Sequence, residues 1–236
     1  MSIQVIAFDA DDTLWVNETY FREAEDKFCA LLEDYLPHHS VAKELFYTEL
    51  QNIPHYGYGV KGFMLSMIET AIEVTEGRVE ASVIAEILAA GREMLRHPVD
   101  LLPHARAAVE ALAAEFKVLV ITKGDLLDQE RKVAQSGLGN LFHGVEIVSD
   151  KTPEVYRRIF ARHGTGASQA MMVGNSLKSD VLPAIAAGGW GVHVPHGITW
   201  ALEHAEPPQA EPRFHSLPSL ETLPDLVGQI KATHNL

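Results

Sequence analysis

The fold turns on residues 3–13, Ile3-Gln4-Val5-Ile6-Ala7-Phe8-Asp9-Ala10-Asp11-Asp12-Thr13. An apolar run this short that ends abruptly in carboxylates is the pattern of a strand buried on both faces and finishing at a polar edge. Similar runs recur at Val118–Thr122, Val145–Ser149, Met171–Gly174 and Trp190–Pro195. The last three intervals each carry a helical pattern: Leu126–Ser136 before Gly137, Pro153–His163 before Gly164, and Ser179–Ala187 before Gly188-Gly189. Pro near the start and Gly past the end is the expected punctuation of helices. Strands alternating with helices predict an α/β fold, a parallel sheet covered by helices on both faces.

The interval between the first two strands differs. Residues 16–97 hold no convincing strand and several helical stripes. Phe21, Ala24, Phe28, Leu31 and Tyr35 share one face; Val60, Met64, Met67, Ile68, Ala71 and Ile72 trace another; Val83, Ile84, Ile87 and Leu88 form a third. Such stripes read as core-facing surfaces. His38-His39, beside Pro37, reads as a solvated loop. Pro103–Phe116 is expected to lead back into the sheet, Glu206-Pro207-Pro208 to be a loop, and Leu220–Lys231 to close the chain as a helix. The predicted organisation is an α/β core of residues 1–15 and 98–236 around a helical insert of 16–97.

The 236 residues carry 32 acidic and 19 basic side chains, a formal charge of −13. An acidic chain repels polyphosphate backbones, so nucleic acid is not an expected partner, whereas a small anion can still be held by a few local cations. No apolar run approaches the ~20 residues needed to span a bilayer, and no membrane partner is expected. The segment Met1–Thr13 enters a strand without the basic start and apolar stretch of a secretory signal. The one cysteine, Cys29, has no partner within the chain, and a reducing, cytoplasmic setting is the expectation. The 12 histidines are scattered, without metal-ligand spacing. Monomer and homodimer both stay open.

In open parallel sheets ligands bind at the carboxyl ends of the strands. The polar residues there are Asp9, Asp11, Asp12 and Thr13 after the first strand and Thr122, Lys123 and Gly124 after the second. Lys151 follows the third strand, and Asn175, Ser176 and Asp180 follow the fourth. They would gather carboxylates, hydroxyls and lysines at one edge. These segments resemble, in order and approximate spacing, the four motifs of the haloacid dehalogenase superfamily. The resemblance covers the whole chain, since the helical insert matches the cap that follows the first motif in that superfamily. It implies a Rossmann-like core and a Mg²⁺-dependent phosphatase acting on a small phosphorylated metabolite.

By that resemblance Asp9 attacks phosphorus and forms an aspartyl-phosphate, dividing a slow hydrolysis into two easier steps. Asp11 protonates the leaving oxygen and then deprotonates water. Asp9, Asp180 and the main-chain carbonyl of Asp11 hold Mg²⁺. Thr122 and Lys151 hold the phosphoryl oxygens, with Lys123 and Gly124 beside them. Asp12 and Thr13 are expected to shape the turn, and Asp150 to be a solvated neighbour of Lys151. One departure is Asn175, where the family commonly carries an acid; it leaves the periphery of the metal site one charge less anionic.

The superfamily also contains dehalogenases, phosphomutases and phosphonatases. Asp11 argues against a dehalogenase, which has no need to protonate a departing halide. A phosphonatase would need a Schiff-base lysine in the insert, for which Lys61 is the candidate. The stretch Tyr56-Gly57-Tyr58-Gly59-Val60-Lys61-Gly62-Phe63 is a candidate specificity loop, with Tyr56, Tyr58 and Lys61 as substrate contacts. The remaining alternatives are a phosphomutase and a non-catalytic phosphate-binding relative.

Overall fold

A computed structural model describes residues 3–234. Its centre is a six-stranded, wholly parallel sheet: β1 Val5–Phe8, β2 Lys117–Lys123, β3 Gly144–Val148, β4 Ala170–Gly174, β5 Trp190–His193 and β6 Phe214–Ser216, in spatial order β3-β2-β1-β4-β5-β6. β1 is central, with Phe8 opposite both Val120 and Val173. The five strands expected from apolar runs are present, and β6 is an addition at the edge.

Alternation along the strands sorts the apolar side chains into two layers. Ile6, Phe8, Val118, Val120, Met171 and Val173 pack with α5 (Ala105–Ala113) and α9 (Leu223–His234). Val5, Ala7, Leu119, Ile121, Ala170 and Met172 pack with α7 (Pro153–His163) and α8 (Leu182–Ala186). Both faces are therefore covered, as parallel strands require. Helix α6, Leu126–Gln135, precedes Gly137, whose φ of 68° is the left-handed turn that glycine accepts without strain.

The chain divides into two compact units. One comprises residues 1–18, 99–123 and 130–236; the other comprises 19–98 and 124–129. Gly124–Gln129 groups with the helices, although the sequence reading placed it with the sheet. The helical unit is built on α1 (Glu18–Leu31), α2 (His38–Tyr56), α3 (Val60–Val74) and α4 (Ala81–Met94) around Phe28, Cys29, Leu45, Phe63, Met67 and Ile87. His38-His39 opens α2 instead of forming a loop, and Tyr35 and Ile72, expected on core faces, are exposed. Tyr35 lies beyond the end of α1, where the helical spacing that put it on the Phe28 face no longer holds. Among the described residues no helix is long and apolar enough to cross a membrane.

Candidate active site

The main-chain N–H of Asp9 donates to the Val173 carbonyl at 2.8 Å, so the residue after β1 still lies in the ladder and its side chain projects from the sheet's carboxyl edge. The chain then turns sharply. Leu14 N–H donates to Ala10 O at 2.8 Å, and Asp12 adopts a left-handed φ of 60°, which short Asp side chains tolerate. The Asp12 carboxylate accepts from the N–H groups of Asn17 (2.9 Å) and Glu18 (2.9 Å), satisfying donors where α1 begins. Thr13 does more than shape the turn. Its hydroxyl lies 3.4 Å from Asp9 Oδ2 and 3.2 Å from Asn175 Oδ1 and accepts from Asn175 N–H at 3.0 Å, joining the first and fourth strand ends.

Lys151 sits between β3 and α7, one residue before Thr152, whose hydroxyl caps that helix by accepting from Val155 N–H. Its ammonium donates to Asp9 Oδ1 at 2.5 Å and to Asp180 Oδ1 at 2.7 Å. All three residues are nearly sealed from solvent, at 7% exposure for Asp9, 5% for Lys151 and 0% for Asp180. Burial opposes the ammonium's charge, yet the two carboxylates more than reverse that and raise its pKa. Two carboxylates against one ammonium leave an unbalanced negative charge, and burial pushes Asp9 up to about 7 despite the lysine.

Asp180 lies in a π-helical turn, Leu177–Val181, that runs directly into α8. The plain α-helix expected from Ser179 is thus replaced, at its start, by the wider turn often found at functional sites. Ser176 Oγ accepts from Ser179 N–H at 2.9 Å, and Ser176 N–H donates to Asp180 Oδ2 at 3.0 Å. The Tyr156 hydroxyl donates to Ser179 O at 3.0 Å, bracing the turn from below. A Cβ on Gly174 would fall 2.2 Å from Asp180 Oδ2, so only glycine admits the carboxylate there.

Asp11 projects into a different cluster. Its Oδ1 accepts from the Trp15 indole N–H at 2.7 Å and from the Lys132 ammonium at 3.0 Å, and Lys132 also donates to Asn17 Oδ1 at 2.8 Å. Lys123 turns to Ser179 Oγ (2.9 Å) and Glu203 Oε1 (2.7 Å), and Ser176 donates to the other oxygen of Glu203. Burial raises and the Lys123 ammonium lowers the Glu203 pKa, with a net lowering. The hydroxyl of buried Thr122 donates to Lys123 O at 3.2 Å, and exposed Asp150 accepts from Lys151 N–H. His193 places Nε2 3.1 Å from Asn175 O.

Tyr56, Tyr58 and Lys61 lie in the helical unit, which also takes in Gly124. Lys61 pairs with Asp125 at 2.7 Å, and the Tyr56 hydroxyl donates to Glu69 at 2.7 Å. Gly57 and Gly59, at φ 73° and 108°, make the link between α2 and α3 that carries Tyr58. The structure therefore gathers Asp9, Lys151 and Asp180 directly and ties Asn175 to Asp9 through Thr13, with Asp11 anchored two residues along the same turn. Thr13, Trp15, Lys132 and Glu203 complete these clusters and were not singled out as site residues from the sequence. Only the i,i+4 spacing of Asp11 and Trp15 was visible there, and without a helix it signals nothing.

Among the described residues no group of three or more His, Cys, Asp or Glu side chains is arranged to hold a metal ion. The oxygen donors at the site are two carboxylates, Asp9 and Asp180, with the neutral oxygens of Asn175 and the main chain. Magnesium is typically held by one or two carboxylates and completes its shell with water and phosphate, so this hard, anionic set fits it.

Residues 3–188 match the model of a hydrolase family, the haloacid dehalogenase-like hydrolases. The chain is 43% identical to a haloacid dehalogenase-like family hydrolase from Xanthomonas campestris, covering 99% of this chain and 94% of that one with a TM-score of 0.89. The fold is shared with YfnB of Bacillus subtilis, described as a HAD-hydrolase bound to magnesium (17% identity, 96% and 99% covered, TM-score 0.65). It is shared also with a 2-haloacid dehalogenase from Pseudomonas syringae pv. tomato (20% identity, 97% and 99% covered, TM-score 0.63). A search of curated proteins returns no match. A match over most of the chain and a relative alike from end to end leave one conclusion: this chain belongs to the haloacid dehalogenase-like hydrolases.

Proposed function

We propose that the protein is a Mg²⁺-dependent phosphomonoester hydrolase that works through an aspartyl-phosphate on Asp9 and acts on a small phosphorylated metabolite. The observation that carries the reading is the division of labour between two carboxylates on one turn. Asp9 is held by Lys151 at 2.5 Å, while Asp11, two residues on, is held apart by Trp15 and Lys132. One is aimed as a nucleophile and the other is kept as a separate proton carrier. Halide departure would leave the second without work.

Asp9 and Asp180, with oxygens of Asn175 and of the main chain, would hold Mg²⁺, which when bound neutralises phosphoryl charge. Lys151 orients Asp9 for in-line attack and offsets the negative charge brought by the substrate. Thr13 fixes the second oxygen of Asp9, limiting its rotation. Asp11 gives a proton to the leaving oxygen as the P–O bond breaks, and later takes one from the water that attacks the phosphoenzyme. The near-complete burial of Asp9 and Lys151 admits a slim ester more readily than a folded phosphoprotein. A phosphonatase is less well supported, since the ammonium of its candidate lysine, Lys61, is ion-paired. A phosphomutase would use the same nucleophile and acid.

The test is phosphate release from a panel of small phosphate esters, with and without Mg²⁺, alongside chloride release from 2-chloropropionate. The expected result is Mg²⁺-dependent phosphate release that falls more than about 10³-fold in Asp9→Asn. Chloride release without phosphate release would establish a dehalogenase. Binding of phosphate esters without turnover would establish a non-catalytic relative or a mutase.

A further inference from the structure

Lys132 makes or breaks no bond in the chemistry described above, yet it is placed with care. It lies in the second half of α6, and its ammonium reaches Asp11 Oδ1 at 3.0 Å and Asn17 Oδ1 at 2.8 Å. Its side chain is 11% exposed, against 21% for Asp11. Sequestering a lysine this far is costly unless its charge is matched, and the Asp11 carboxylate matches it. Trp15, buried in the sheet unit's core, adds the indole N–H at 2.7 Å to the same carboxylate oxygen. Two donors from different elements thus converge on Oδ1. Once that oxygen is fixed, the carboxylate plane and the direction of Oδ2 follow.

We infer that Lys132 is a positioning residue for the proton transfers of Asp11, fixing the orientation of its carboxylate by holding Oδ1 together with Trp15. The inference rests on the phosphatase reading, in which Asp11 protonates the leaving oxygen. In that step the P–O(ester) bond breaks as the Asp9 Oδ–P bond forms, and the proton of the Asp11 carboxyl passes to the departing alkoxide, leaving an alcohol and an Asp11 carboxylate. A mispositioned acid harms esters with basic leaving groups, and it hardly affects those whose leaving group departs as a stable anion.

The experiment compares kcat/KM, which reports the steps up to leaving-group departure, for glycerol phosphate, sugar phosphates and p-nitrophenyl phosphate. Wild type is measured beside Asp11→Asn, Lys132→Met and Lys132→Arg. Lys132→Met is expected to lose about 30-fold on the alkyl phosphates and less than about 3-fold on p-nitrophenyl phosphate, with Asp11→Asn showing the same skew more strongly. Lys132→Arg should recover most of the loss. Should Lys132→Met not fold, Asn17→Ala carries the same test, since it removes the second anchor of Lys132 and keeps the charge. Equal losses on all esters, or no loss, would overturn the positioning role while leaving the phosphatase reading intact. A wild type that hydrolyses no ester would overturn both.

Discussion

At Gly174 the absence of a side chain is a requirement of its neighbour. The modest space between the last residue of β4 and the π-helical turn is filled by the Asp180 carboxylate, 2.2 Å from where a Cβ would stand. Gly174→Ala should displace Asp180 from Lys151 and lower the unfolding free energy by roughly 1–3 kcal/mol, the range of a core steric conflict. Urea denaturation measures it, and wild-type stability would show that Asp180 does not sit there. The strand-end residues could be read from the sequence because a buried run that stops at Asp, Thr-Lys or Gly-Asn marks its own polar edge. The contacts of Lys132 and Thr13 could not. Their partners Asp11 and Asn175 are 121 and 162 residues away along the chain, and a lysine on an amphipathic helix looks like any solvated lysine.

Among the elements, the segment after β5 is held to the sheet by Glu203, through Lys123 and Ser176. Burial alone would raise the Glu203 pKa, and Lys123 reverses this, so the folded value lies below the ordinary one. A lowered carboxylate stabilises above the unfolded pKa, about 4.3 for glutamate, and that contribution is lost as pH falls through the lower folded value. Glu203→Gln should therefore cost roughly 3 kcal/mol at pH 7, as breaking a buried pair does, and less at pH 3, below the unfolded value. Chemical denaturation at the two pH values tests this, and a cost independent of pH would refute it. Glu203 was not legible because its segment has no periodicity. β6 escaped notice likewise, being three residues, Phe214-His215-Ser216, on a half-covered edge. Helix α2 was hidden because its buried face, Val41, Leu45, Thr48 and Asn52, turns from apolar to polar halfway along.

At the scale of the molecule, each unit has apolar packing of its own, on both faces of the sheet in one and among the helices in the other. The three tryptophans, Trp15, Trp190 and Trp200, all belong to the sheet-bearing unit, so their fluorescence reports that unit while far-ultraviolet circular dichroism reports both. Phe28→Ala, in the helical core, should cost about 3–5 kcal/mol and shift the dichroism midpoint more than the fluorescence midpoint. Coincident shifts would mean that the two units unfold as one. The division itself was visible in the sequence as a change of period, from short apolar runs to stripes and back. The grouping of Gly124–Gln129 with the helices was not, because contacts with Lys61 and Gly59 have no local signature.

The chain leaves the sheet-bearing unit and re-enters it side by side. Trp15 bridges Leu101 in antiparallel fashion, Val16 N–H donates to Asp100 O, and Leu102 N–H donates to Leu14 O, both at 2.9 Å. This short clasp closes the departing loop within the sheet unit itself. The closure cost of such a loop grows only with the logarithm of its length. What lies beyond the clasp can therefore lengthen, shorten or be replaced over evolutionary time at little thermodynamic expense to the sheet. Asp9, Lys151 and Asp180 all lie on the sheet's side of the clasp, so such an exchange would leave them untouched.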